Sequence, residues 1–116
     1  MGGWPSAESL RNDVWRTGDG DSWILVTADA PWAPRAYHQL VAHAGRLYLL
    51  GGGNYTPGYQ GRNDVWSTED GVAWRLEAES APWLPRIWFS AVSNRGYLWV
   101  LGGFSDGPYR NWEDVW

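Results

Sequence analysis

Asn63-Asp64-Val65-Trp66 is followed by Asp70-Gly71 and Trp74, and the same series opens the chain as Asn12-Asp13-Val14-Trp15, Asp19-Gly20 and Trp23. It closes the chain as Glu113-Asp114-Val115-Trp116. Between these copies other landmarks recur in the same order. They are the Ala-Pro-Trp triplets from Ala30 and Ala81, Pro34-Arg35 and Pro85-Arg86, and the triplets Leu50-Gly51-Gly52 and Leu101-Gly102-Gly103. Each pair is offset by 51 positions, except that Asp64 to Asp114 is one shorter, which places a deletion between Gly103 and Glu113. A period of about 20 to 50 residues marks solenoids and propellers, whose units cannot bury their apolar faces alone.

Eleven tryptophans and fifteen glycines in 116 residues, with no sustained 3.6-residue apolar period, favour short strands joined by glycine turns. One whole unit is predicted as strand a over 38–43, b over 47–50, c over 64–67 and d over 74–77. Ala44-Gly45, and Asn94-Arg95-Gly96 in the next unit, predict tight a/b hairpins. Asp19-Gly20 and Asp70-Gly71 predict tight c/d turns. The long b-to-c and d-to-a loops then share the opposite face, where variable loops of radial β architectures meet ligands.

These landmarks resemble the Kelch-type β-propeller family: an apolar strand ending in a double glycine, then Asn63-Asp64-Val65-Trp66, then Asp70-Gly71 and Trp74. The resemblance covers nearly the whole chain. It implies an all-β fragment with four-stranded antiparallel blades, in which 1–34 end one blade, 35–80 form a complete blade and 81–116 begin the next. Thr68 to Trp74 also resembles an Asp-box turn, although Asp70 and Gly71 are adjacent where that pattern separates them. Met1 stands before Gly2-Gly3, where the other repeats carry Leu50 and Leu101, so the repeat register predicts further sequence upstream. Asp114-Val115-Trp116 duplicates Asp13-Val14-Trp15, and this overhang favours a piece of a longer propeller over a unit that closes a ring with copies of itself. Its open blade edges would be met by missing blades or by self-association.

A net charge of −4 argues against a nucleic-acid partner. The longest apolar runs, Leu47 to Leu50 and Tyr97 to Leu101, are far below the ~20 residues of a membrane helix. The absence of cysteine excludes disulfides and thiolate metal sites, and also the crosslinked cysteine of Kelch-like copper radical oxidases. No cofactor and no metal site is expected, because His38 and His43, the only histidines, are spaced to lie on opposite faces of a strand. The compartment is left open.

Residues that recur at the repeat offset are expected to serve architecture. Trp15, Trp66, Trp116, Trp23 and Trp74 would fill space between blades, and Asp13, Asp64 and Asp114 would fix loops. Arg35 and Arg86, each beginning an innermost strand, are candidates for an anion-receptive rim near the axis, against the plainer reading of inter-blade salt bridges or loop-carbonyl contacts. Positions that differ between repeats are more informative: Tyr37 becomes Trp88 and His38 becomes Phe89. A loop surface carrying Trp32, Tyr55, Tyr59, Arg62, Trp83 and Tyr109 has the composition of a binding hot spot. The chain is therefore expected to be a non-enzymatic module that binds a protein or a carbohydrate through Arg35, Arg86, Tyr37, His38, Trp88, Tyr55, Tyr59, Arg62 and Tyr109. The alternative is a fragment of a sugar-processing propeller enzyme such as a sialic-acid mutarotase.

Overall fold

The computed structural model describes residues 10–54, 61–106 and 109–116, and among them every regular element is a β-strand. β3 (Gln39–His43), β4 (Arg46–Leu50), β5 (Val65–Thr68) and β6 (Trp74–Ala78) form one antiparallel sheet in chain order. This is the complete blade, within one residue of the expected bounds. β1 (Val14–Arg16) with β2 (Ile24–Thr27), and β7 (Ser90–Asn94) with β8 (Tyr97–Leu101), form the flanking two-stranded sheets. A third two-stranded pair, β9 (Phe104–Asp106) with β10 (Tyr109–Asn111), lies in what the sequence presented as a long b-to-c loop.

The turns have the chemistry their residues dictate. Ala44 and Gly45 take φ of 50° and 76°, and Arg95 and Gly96 take 52° and 79°, the two positive-φ positions of a hairpin turn that matches strand twist. At the c/d turn the Thr68 hydroxyl accepts from the amides of Asp70 and Gly71, while Asp70 Oδ1 accepts from the amides of Val72 and Ala73. Thr17 and Asp19 repeat the arrangement on the amides of Asp19, Gly20, Asp21 and Ser22. Side chains thus take the amides that the strands leave unpaired. A register shift between Val65 and Trp66 recurs between Val14 and Trp15, so the bulge belongs to the repeat.

The core lies between sheets. Leu50, Trp83, Phe89 and Val100 are buried together between the complete blade and β7–β8, with Val41 and Tyr48 packed against them. Ala30, Trp32 and Leu49 form the corresponding cluster towards β1–β2, joined by Val14, Trp66 and Trp74. The expectation that all the repeated tryptophans fill the core needs correction. Trp66 and Trp74 are half-buried, whereas Trp15, Trp23 and Trp116 are about half exposed. Trp32 and Trp83, expected on the loop surface, are buried instead.

Candidate functional site

Asn63 explains how the Ala-Pro-Trp loop becomes fixed. Its Nδ2 donates to the carbonyls of Ala81 and Trp83, both at 2.9 Å, and Asn12 makes the equivalent bonds to Ala30 and Trp32. The buried tryptophan then supports the arginine three positions on, with the Arg35 guanidinium 5.9 Å from the Trp32 ring and that of Arg86 5.8 Å from the Trp83 ring.

Both arginine side chains are fully buried, and each donates four hydrogen bonds. Arg35 Nη1 and Nη2 donate to the two oxygens of Asp64 at 2.6 and 2.8 Å, Nη1 also donates to the Gly51 carbonyl, and Nε to that of Ala33. Arg86 repeats every bond on Asp114, Gly102 and Leu84. The planar fork that could have received an external carboxylate is already occupied by one from the same blade. In place of the anion-receptive rim expected at Arg35 and Arg86, both arginines make the loop-carbonyl contacts of the plainer reading, together with an ion pair that lies within a blade and not between blades as that reading had it. Asp64 and Asp114 each also accept from the indole two residues on, Trp66 at 2.9 Å and Trp116 at 2.8 Å. Burial pushes the Asp64 carboxyl up, but the hydrogen bonds from Arg35 and Trp66, with the charges of Arg35 and Arg62, outweigh it and hold the group below its ordinary range. Asp114 is held well below that range, chiefly by the Arg86 hydrogen bonds.

Beyond the arginines the chain turns sharply. Tyr37 and Trp88 occupy the same place in successive repeats, with φ of 59° and 56°, a backbone region that bulky residues seldom adopt. Their rings meet edge to face at 5.6 Å. Trp88 continues to Phe104 at 5.6 Å, and Phe104 to Tyr109 at 5.0 Å. The Ile87–Phe104 backbone pairing extends the β7–β8 ladder past the double glycine, and the β9–β10 hairpin carries Tyr109 back over Phe104. The result is a row of four aromatic rings on the long-loop face. Within the row Phe104 is buried, while Trp88 is 45% and Tyr109 77% exposed. Beside the row Arg110 lies over the Trp112 ring at 4.6 Å.

Of the residues singled out from sequence, Tyr37, Trp88 and Tyr109 are brought together here. Phe104, which joins them, was not singled out, yet its signal was present: the preceding repeat has Gly53 at that place. Arg62 stands apart, lining an open polar recess with Asp64 and Glu79. Tyr55 and Tyr59 lie outside the described residues. His38 turns away from the row towards Trp32, at 6.4 Å between rings, and its Nδ1 is buried without a hydrogen-bond partner. Burial and the nearby Arg35 charge lower its pKa, favouring the neutral imidazole. His43 bonds Ser93 on the next sheet. Among the described residues no group of three His, Cys, Asp or Glu is placed to hold a metal ion.

No family model and no curated protein matches this chain. Among solved structures it is similar to one described as "Structure of YjhT", with a TM-score of 0.59 and 25% identity. That match covers 71% of this chain and 24% of the other, so the chain corresponds to about a quarter of that protein's length. The antiparallel sheets and this likeness together give the chain a propeller-like, all-β fold.

Proposed function

We propose that the chain is part of a Kelch-type propeller that binds a carbohydrate on its long-loop face without transforming it. The observation that carries this reading is the aromatic row from Tyr37 through Trp88 and Phe104 to Tyr109, partly open to solvent on the face formed by the long loops. A pyranose presents a C–H face bordered by hydroxyls. An aromatic ring offers that face a flat, electron-rich partner while the hydroxyls stay hydrated or meet the ring's polar tip. Rings fixed by mutual contact and by a constrained backbone lose little freedom on binding, so more of the contact energy appears as affinity. The carboxylates of Asp64 and Asp114, each occupied by a buried arginine, are poorly suited to act on a bound sugar, which favours binding over catalysis.

Isothermal titration with a panel of neutral and acidic oligosaccharides tests the reading. Binding to at least one of them should weaken about tenfold or more in Trp88→Ala, the scale of a lost aromatic anchor, and remain unchanged in Trp23→Ala. Absence of sugar binding would point to a protein ligand. Accelerated exchange between sugar anomers, seen by NMR, would replace the binding module with the sugar-processing alternative.

A further inference from the structure

β2 and β6 are the same strand of successive repeats, and each is the last of its sheet. Because the complete blade runs β3–β4–β5–β6 and ends on β6, the outer edge of β2 belongs to the rim whatever lies on the inner side of β1. Such an edge presents unpaired amides and carbonyls, which proteins guard with charged side chains. β6 is guarded. Arg75 and Glu77, two positions apart on one face, are joined by a bond of 2.8 Å from Arg75 Nε to Glu77 Oε1. At the equivalent places β2 has Ile24 and Val26, and the stretch from Trp23 to Ala28 carries no charge.

The exposure of β2 is a property of the rim. Ile24 and Val26 lie on the face directed at the complete blade, all four strands of which are described, and a Cβ on Gly71 of that blade would stand 4.0 Å from Val26 Cγ1. Ile24 is 57% exposed even so. On the other face Leu25 is 44% exposed, and its equivalent Leu76 is 43% exposed although Val14 of β1 joins the cluster on that side. Acidic groups bracket the strand. Asp19 and Asp21 precede it, Asp29 follows it, all three are exposed, and no arginine or lysine lies between Arg16 and Arg35. Asp19 is kept charged by the amides of Asp21 and Ser22, which donate to its Oδ1.

We propose that the outer edge of β2 receives an extended segment of another protein, apolar at alternate positions and bearing lysine or arginine at both ends, as an added strand. Main-chain hydrogen bonds attach the segment, its apolar side chains meet those of Ile24 and Leu25 on the two faces, and its basic ends meet the aspartates at the two ends of β2. The contact lies on the rim, apart from the aromatic row of the long-loop face. β6, with the same backbone and a charged face, rejects the same segment.

The probe is the synthetic peptide Lys-Lys-Val-Thr-Val-Thr-Val-Lys-Lys, titrated into the chain by calorimetry with amide hydrogen exchange followed in parallel. Binding should saturate, slow exchange at residues 24–27 by about tenfold or more while sparing 75–77, and weaken by about tenfold when glutamate replaces the lysines. Ile24→Arg combined with Val26→Glu transfers the guard of β6 without changing net charge and should lower affinity by about tenfold or more. Tyr97→Arg, at an exposed place on β8, should leave affinity unchanged. No slowing at 24–27, or equal binding of the glutamate-ended peptide, would overturn the proposal, and neither result depends on a variant folding. Affinity indifferent to the double substitution in a folded variant would overturn it as well. Slowing at 24–27 that grows with chain concentration in the absence of peptide would assign the edge to a second copy and overturn it equally.

Discussion

Arg35 and Asp64 stand 29 residues apart and face each other through two parallel hydrogen bonds of 2.6 and 2.8 Å, with the arginine side chain wholly removed from solvent. A guanidinium in that position is tolerable only while its partner is present. Asp64→Ala should therefore destabilise the fold by about 3 to 5 kcal/mol, the range for leaving a buried charge uncompensated. Combining it with Arg35→Met should recover a large part of the loss, since an apolar pair avoids the desolvation cost. Urea denaturation of the two single variants and the double variant measures both effects.

The same pairs set the response to acid. Asp64 and Asp114 ionise more readily in the folded chain than in the unfolded one, so the unfolded state binds more protons as the pH falls. Their contribution is complete above the ordinary aspartate value of about 4 and is lost as pH falls through the lower folded values. Denaturation midpoints between pH 7 and pH 2 should fall most steeply below about pH 4, and less steeply in the Asp64→Ala, Arg35→Met variant.

His38 adds a second, milder dependence. Its folded pKa is lowered, so the unfolded chain takes up this proton first, and stability should decline as pH falls from about 6.5 and level off below the folded value. His38→Phe, which installs the residue found at Phe89, should abolish that slope and raise stability at pH 6. Proton NMR of the imidazole, with midpoints in the same variants, provides the check.

Gly52 follows from close approach. With φ of 88°, an added Cβ would lie 2.7 Å from the Ala36 carbonyl oxygen and 2.8 Å from the His38 backbone nitrogen. Gly52→Ala should cost roughly 2 to 4 kcal/mol, combining backbone strain with displacement of the Ala36 to His38 segment. Gly18→Ala, where a Cβ meets nothing within 4 Å, should fall within about 0.5 kcal/mol of the parent chain.

The strand positions were legible because the signals that specify them are local: double glycines end β4 and β8, and positive-φ dipeptides make the hairpins. β9 and β10 were not, since three residues each give no measurable alternation. Trp32 and Trp83 were misplaced for a different reason. Prolines on either side suggested a surface loop, but Asn12 and Asn63 satisfy the loop carbonyls and so permit the indoles to be buried. The ion pairs could have been found from sequence, because Arg35 and Asp64 recur together as Arg86 and Asp114. The aromatic row was half visible. Tyr37 and Trp88 stood out as a difference between repeats, but their meeting with Phe104 depends on the backbone pairing of Ile87 with Phe104.

Arg35 also donates to the Gly51 carbonyl, so a single side chain grips both ends of the connection from Gly51 to Asp64, and Arg86 grips Gly102 and Asp114 in the same way. Each connection is thus clipped at its base by bonds made outside the segment it encloses. The one-residue difference between the two connections leaves the clip unchanged. A foreign loop spliced between Gly52 and Arg62 is therefore expected to leave the frame intact, since the bonds that anchor the connection lie outside the exchanged segment.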